Sequence, residues 1–231
     1  MIILNNRPFN TIIVDLDGPL LEGKQKHYQC YVDILQEFNF IPVSMELYWS
    51  LKRQRVDRVT LLQKSGAADI YDLFLQKWLM KIETLPYLSF DNLQPAVLEI
   101  LAGWQQLGVR LLLATMRNNS NNLFWQLEQL SLLPFFDEVI IVGNLDGNTS
   151  KANAVKPFLQ KSELTQCLWI GDTEVDLHSA NELRIETVLL GCGLRTEEYL
   201  QSLQPNYLFA TLQDVYMKTK RVGNINLINN V

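Results

Sequence analysis

The stretch "TIIVDLDGPL", Thr11 to Leu20, runs three apolar residues straight into an aspartate, repeats the aspartate two positions later, and then turns on glycine and proline. A continuous apolar run, as opposed to an alternating one, marks a strand buried on both faces, as strands are inside a parallel sheet. Working outward, the same signature recurs in "VRLLLAT", "EVIIVG", "CLWIG" and "ETVLLG". Helical spacing lies between these runs. Val97, Ile100, Leu101, Trp104 and Leu107 precede the second strand, and Leu123, Phe124, Leu127 and Leu130 follow it. Strand and helix alternate, which predicts an α/β fold with a Rossmann-like parallel sheet and right-handed crossovers.

One interval breaks the rhythm. From Leu21 to Phe90 no strand signal occurs, while Tyr28, Tyr31, Val32, Leu35 and Phe38 mark one amphipathic helix and Ile70, Phe74, Trp78 and Ile82 another. Shorter helices are expected around Leu47 and Leu61. The expected organisation is a catalytic core of residues 1–20 and 91–231 with a helical cap, residues 21–90, inserted after the first strand. The tail from Lys218 to Val231 is polar and reads as partly mobile.

With 231 residues, 48% of them hydrophobic, the chain has ample material for a core. Cys30, Cys167 and Cys192 are odd in number and widely separated, which argues for a reducing, cytoplasmic setting over a disulfide framework. Neither a leader pattern nor an apolar run approaching the roughly 20 residues that span a bilayer is present, so no membrane partner is expected. A net charge of −5 argues against a nucleic-acid surface. The exception is "KRQRVDR", Lys52 to Arg58, which reads either as a solvated face or as a patch that turns Arg55 or Arg58 into a cleft to bind a substrate anion remote from the reacting group.

In an open parallel sheet, ligands bind beyond the carboxyl ends of the strands, where Asp15 and Asp17 fall. A second acidic pair ends the fourth run: in "WIGDTEVDL", Asp172 follows the strand and Asp176 lies in the first turn of the next helix. Taken alone, Asp15 and Asp17 describe an Asx turn, Asp172 an N-cap and Asp176 a charge favoured by the helix dipole. If the two strands are neighbours, up to four carboxylates converge. Two unit charges about 4 Å apart repel by roughly 4 kcal/mol at an effective dielectric near 20. A hard divalent cation relieves that repulsion, and an all-oxygen ligand set suits Mg²⁺. Thr115 ends the second strand, where its hydroxyl and the following N–H groups face a phosphoryl group. Lys151 begins a helix after the third strand, where an ammonium neutralises both phosphate and carboxylate; Lys156 is the alternative five residues on. A carboxylate nucleophile, a metal, a hydroxyl and a lysine together describe phosphoryl transfer through an aspartyl phosphate.

These four motifs, "DLDGPL", Thr115, Lys151 and "GDTEVD", resemble in order and spacing the haloacid dehalogenase superfamily, and among its members the phosphoglycolate phosphatase-like enzymes with a helical cap. The resemblance covers nearly the whole chain. It implies that Asp15 is the nucleophile and a metal ligand. Asp17 would be the general acid and base, with its backbone carbonyl on the metal. Asp172 would ligate Mg²⁺, Asp176 would support the metal shell, and Thr115 and Lys151 would hold the substrate phosphate. The expected activity is Mg²⁺-dependent hydrolysis of a small phosphorylated metabolite, with a phosphomutase or a catalytically silent binding protein as alternatives. One position departs from the pattern: Pro19 stands where the family usually has threonine, removing a hydroxyl and an N–H from the loop. Arg117, just after Thr115, either touches substrate or pairs with a surface acid. His27 and His178 show no partner pattern.

Overall fold

The computed structural model of the chain describes residues 1–143, 150–162 and 164–223. An N-terminal hairpin, β1 (Ile2–Leu4) and β2 (Arg7–Phe9), leads into β3 (Thr11–Val14). The hairpin was not expected from apolar runs, because its strands are too short to carry one. Its signal is the turn: Asn5 and Asn6 both take positive φ, the two-residue geometry that asparagine tolerates and that matches strand twist.

The remaining strands of the main sheet are β6 (Arg110–Thr115), β7 (Glu138–Ile141), β8 (Cys167–Gly171), β9 (Glu186–Leu190) and β10 (Tyr207–Phe209). They form a six-stranded sheet in the order β10-β9-β8-β3-β6-β7, with every neighbouring pair parallel. This is the expected α/β sheet, extended by β10. Side chains of β3 alternate between its two faces. Ile12 and Val14 join Leu111, Leu113, Leu168 and Ile170 on one face. Ile13 joins Leu112, Ala114 and Trp169 on the other. Ile12, Ile13 and Val14 are fully buried, each contributing about 2 kcal/mol of apolar transfer, and this two-sided burial is why the run carries no alternation.

Core helices α6 (Val97–Gln106), α7 (Ser120–Gln129), α8 (Lys151–Val155), α9 (Glu174–Leu183), α10 (Glu197–Ser202) and α11 (Leu212–Gly223) connect or flank the strands. Val97, Ile100, Leu101 and Trp104 are buried as their spacing predicts, whereas Leu107 caps α6 and is exposed. On α7 the apolar face is shifted. Phe124 is exposed and Gln126 is buried in its place, because the Gln126 amide donates to Asp91 Oδ2 at 2.8 Å and to the Leu88 carbonyl at 3.1 Å. Of the polar tail, the end of α11 is described, and residues 224–231 lie outside the described residues.

Between β3 and α6 run five helices, α1 (Lys24–Glu37), α2 (Met45–Arg53), α3 (Arg58–Gln63), α4 (Tyr71–Lys81) and α5 (Leu85–Leu88). Tyr31, Ile34, Leu35, Tyr48, Leu62, Phe74 and Trp78 give this segment an apolar cluster of its own. Where the chain leaves for these helices and returns from them, β4 (Leu21–Glu22) pairs antiparallel with β5 (Asn92–Leu93). Among the described residues no helix is long and apolar enough to cross a membrane.

Candidate active site

β3 lies between β6 and β8, with Val14 level with both Leu113 and Ile170. The chain steps from β3 outward through β6 and β7, then returns to β8 on the other side. β3 is therefore the switch point of the sheet, where a crevice opens at the carboxyl edge. Asp15, Thr115 and Asp172, each at or just past a strand end, share that edge.

Asp15 follows β3, its N–H donating to the Ile170 carbonyl at 2.9 Å and its Oδ1 accepting from the Leu16 N–H at 2.8 Å. Its Oδ2 lies 2.7 Å from Lys151 Nζ, which also reaches Asp176 Oδ1 at 2.9 Å. Lys151 opens α8, whose start is fixed by Ser150 Oγ accepting from the Asn153 N–H at 3.1 Å. Lys156 is exposed and makes no such contact. Asp176 is fully buried and accepts further bonds from Trp169 Nε1, the N–H groups of Asp172 and Thr173, and Thr173 Oγ1. The N-cap of α9 is Thr173, so Asp172 is free of that duty.

Burial, reinforced by Asp176 and Asp17, pushes the Asp15 carboxyl up to about 7 despite the offset from Lys151. Burial also drives Asp172 well above the ordinary carboxylate range, with Asp176 and Asp15 adding to it. Burial opposes the charge on Lys151, yet Asp15 and Asp176 outweigh it and raise its pKa.

One ligand oxygen from each of Asp15, Asp172 and Asp176 falls within 4.8 Å of the others. Asp172 Oδ2 accepts from the Leu194 N–H at 2.5 Å, whereas its Oδ1 is buried with no hydrogen-bond partner. A buried carboxylate oxygen without a donor, in a cluster that among the described residues consists of three carboxylates, fits a hard divalent cation. Gly18 shapes the same place. Its φ is +99°, and a Cβ there would meet Asp172 Cγ at 2.2 Å, so the loop admits only glycine. Pro19 does not break the turn, because its hydrogen bonds are donated by the neighbouring Gly18, Leu20 and Leu21 N–H groups.

Three acidic side chains converge, while the fourth is drawn elsewhere. Asp17 Oδ1 accepts from Lys26 Nζ at 2.9 Å and from Arg117 Nη2 at 2.8 Å. Its own burial would raise its pKa, but Arg117 and Lys26 overcome that and hold it far below the usual carboxylate range. Asp91, fully buried as a side chain, is the second counter-ion: its Oδ2 lies 2.6 Å from Lys26 Nζ and 3.7 Å from Arg117. Arg117 thus pairs with the site acid Asp17 and the interior acid Asp91. Lys26 and Asp91 carried no signal in the sequence, since they meet only across a 65-residue separation. His27 stacks on Trp78 with ring centroids 5.5 Å apart. Burial, together with Lys52 and Lys26, keeps its imidazole neutral by lowering its pKa well below the ordinary value.

Asp15, Asp17, Thr115, Lys151, His27, Arg58 and Arg195 line one cleft of about 420 Å³. The inserted helices touch the sheet on both sides of it. On one side Arg53 donates to the Gly191 and Arg195 carbonyls, and Arg55 pairs with Glu174 at 3.0 Å. On the other, Glu83 Oε2 accepts from the Asn118 and Asn119 N–H groups, each at 2.8 Å.

The sequence model of a hydrolase family, the haloacid dehalogenase-like hydrolases, matches residues 9–183. Pyrophosphatase PpaX of Oceanobacillus iheyensis is 20% identical over 207 residues, covering 89% of this chain and 94% of that protein. Among solved structures, a "predicted phosphatase" of Clostridium acetobutylicum superposes with a TM-score of 0.72 at 16% identity, covering 93% of this chain and 99% of the other. The HAD-hydrolase YfnB of Bacillus subtilis, solved bound to magnesium with interdomain movement, gives 0.66 at 17% identity over 91% and 98% of the two chains.

Proposed function

Because the chain belongs to the haloacid dehalogenase-like hydrolases, we propose that it is a Mg²⁺-dependent phosphatase that hydrolyses a small phosphorylated metabolite through an aspartyl phosphate on Asp15. The observation that carries this reading is the cluster of Asp15, Asp172 and Asp176 at the switch point of the sheet, with Lys151 on Asp15 and one Asp172 oxygen left without a hydrogen-bond partner.

In this reading Asp15 Oδ attacks phosphorus, the P–O bond to the leaving alcohol breaks, and water later cleaves the acyl phosphate to restore the carboxylate and release phosphate. Asp15, Asp172 and the backbone carbonyl of Asp17 would hold the Mg²⁺, with Asp176 orienting the set. The cation supplies charge neutralisation for the approach of one anion to another. Lys151 offsets part of the rise that burial imposes on the Asp15 pKa and places a positive charge where the phosphoryl oxygens would gather. Thr115, buried in the lining of the cleft, would offer a hydroxyl to the same oxygens.

Asp17 is assigned the proton transfers to the leaving group and from water. Its Oδ1 is committed to Lys26 and Arg117, so Oδ2, which has no partner among the described residues, is the atom that exchanges the proton. Lys26 and Asp91 stand on either flank of the helical insertion, so movement of residues 21–90 as a cap would loosen these ion pairs as it admits substrate.

The test is hydrolysis of a panel of phosphorylated metabolites with and without Mg²⁺, beside Asp15→Asn. Metal-dependent turnover that disappears in the variant is the expected result. Turnover that survives Asp15→Asn contradicts the assignment, and Mg²⁺ binding without any turnover favours a silent member of the family.

A further inference from the structure

The two walls of the cleft treat charge differently. On the sheet wall each lysine or arginine that reaches the site has a carboxylate partner. On the wall built from α2, α3 and α4, Lys52 and Arg58 have none among the described residues. Both instead lie over the ring of Trp78, with Lys52 Nζ 5.6 Å and the Arg58 guanidinium 5.4 Å from its centroid. Arg195 stands beside them, its own charge spent on a two-pronged contact with Glu174 at 2.8 Å per arm. Glu174 also takes Arg55, so one carboxylate serves two arginines and none is left for Lys52 and Arg58. Burial and the nearby Arg58 and Arg195 charges push the Lys52 ammonium down to about 7. Two cations held close together with no counter-ion cost stability, and an anion between them would remove that cost.

The space for such an anion exists. A cavity of about 190 Å³ is lined by Tyr48, Lys52, Arg58, Phe74, Trp78 and Arg195 among others. Arg58 also lines the cleft that holds Asp15 and Lys151, so the two spaces share a wall. The aromatic floor of Trp78, Phe74 and Tyr48 offers apolar surface to a short organic linker, and guanidinium and ammonium groups suit the oxygens of phosphate or carboxylate.

We infer that the substrate carries a second anionic group, besides the phosphoryl group presented to Asp15, and that this group seats between Lys52 and Arg58 over Trp78. The inference rests on the phosphatase reading for the placement of the first group. It makes "KRQRVDR" a divided segment: Arg53 and Arg55 join the helices to the sheet, while Lys52 and Arg58 select substrate.

The test uses binding, so that it does not depend on turnover. Calorimetric titration of the full chain with Mg²⁺ compares three series of increasing chain length: simple alkylphosphonates, ω-phosphonocarboxylates and α,ω-bisphosphonates. At least one doubly anionic ligand is expected to bind roughly tenfold more tightly than the alkylphosphonate of equal length. The series in which this occurs identifies the second group as carboxylate or phosphate. The preference should collapse in Lys52→Met and in Arg58→Met, which keep the aliphatic bulk, and return in Lys52→Arg; circular dichroism and a thermal melt verify folding of each. No preference in the wild-type chain at any length, or a preference that survives both Met variants, overturns the inference. Failure of the phosphatase reading would show separately, as absence of turnover with the binding preference intact.

Discussion

The sheet edge and the helical insertion face each other across one cleft, yet they are built on opposite electrostatic plans. At the sheet edge the buried cations are matched: Lys151 with Asp15 and Asp176, and Arg117 with Asp17 and Asp91, which also take Lys26 from the start of α1. The inserted helices α2 and α3 leave Lys52 and Arg58 without a carboxylate partner among the described residues, beside an aromatic floor. A cation matched within the fold is fixed before any ligand arrives, whereas in the proposed reading the unmatched pair takes its partner from the ligand.

The largest effect expected on this comparison is at the nucleophile. Asp15→Asn should lower kcat by roughly a thousandfold or more, as removal of a group central to catalysis does, read from steady-state hydrolysis. Asp17→Asn should cost about 10² to 10⁴ in kcat while the variant still binds Mg²⁺, because proton transfer is lost and the backbone carbonyl remains. An Asp17→Asn enzyme with wild-type kcat would remove Asp17 from the chemistry. Next comes the buried matching itself. Asp91→Asn leaves Lys26 and Arg117 sharing Asp17 alone, and urea unfolding should show a loss of about 3 kcal/mol.

A smaller effect follows from the raised Asp15 and Asp172 carboxyls. Asp15 titrates near 7 in the fold against an ordinary 3.8, so the folded protein binds a proton that the unfolded chain has released. Stability of the metal-free protein is therefore fully supported below the ordinary value and lost as pH rises toward 7, by up to about 1.4 kcal/mol per pH unit. Asp172 acts in the same direction. Asp17, held below its ordinary value, contributes the opposite slope only in more acidic solution. Since Mg²⁺ competes with these protons, its stabilisation of the fold in thermal melts should be larger at pH 8 than at pH 5. A shift independent of pH would contradict a site made of these carboxylates. The smallest effect belongs to the rim: Glu83→Gln weakens the partly exposed contacts to Asn118 and Asn119 and should cost no more than about 1 kcal/mol.

The same contrast explains what the sequence made legible. β3, β6 and β8 announced themselves because both faces of each are buried, and Asp15 and Asp172 were placed by the rule that ligands bind at carboxyl ends. Lys151 is marked in the sequence by its position at a helix start, and in the fold it reaches Asp15. Lys26, Asp91 and Gln126 were not legible, since a buried polar network is assembled from residues far apart in the chain and leaves no periodic trace. Phe124 was misplaced for the same reason: the inward position on α7 went to a glutamine with polar partners waiting. β10 is a half-buried strand of only three residues, too short to show a pattern. His27 lacked a partner motif, and its place in the cleft depends on Trp78, fifty-one positions along.

The most direct test of the account is to catch the phosphoryl group on the protein. A substrate found in the metabolite panel is mixed with excess enzyme and Mg²⁺, quenched in acid during the first turnover, and the digested chain is mapped by mass spectrometry. The account predicts one added phosphoryl group on the peptide that contains Asp15, absent in Asp15→Asn and lost when the quench is delayed. First-turnover release of phosphate with Asp15 unmodified at every quench time would contradict it.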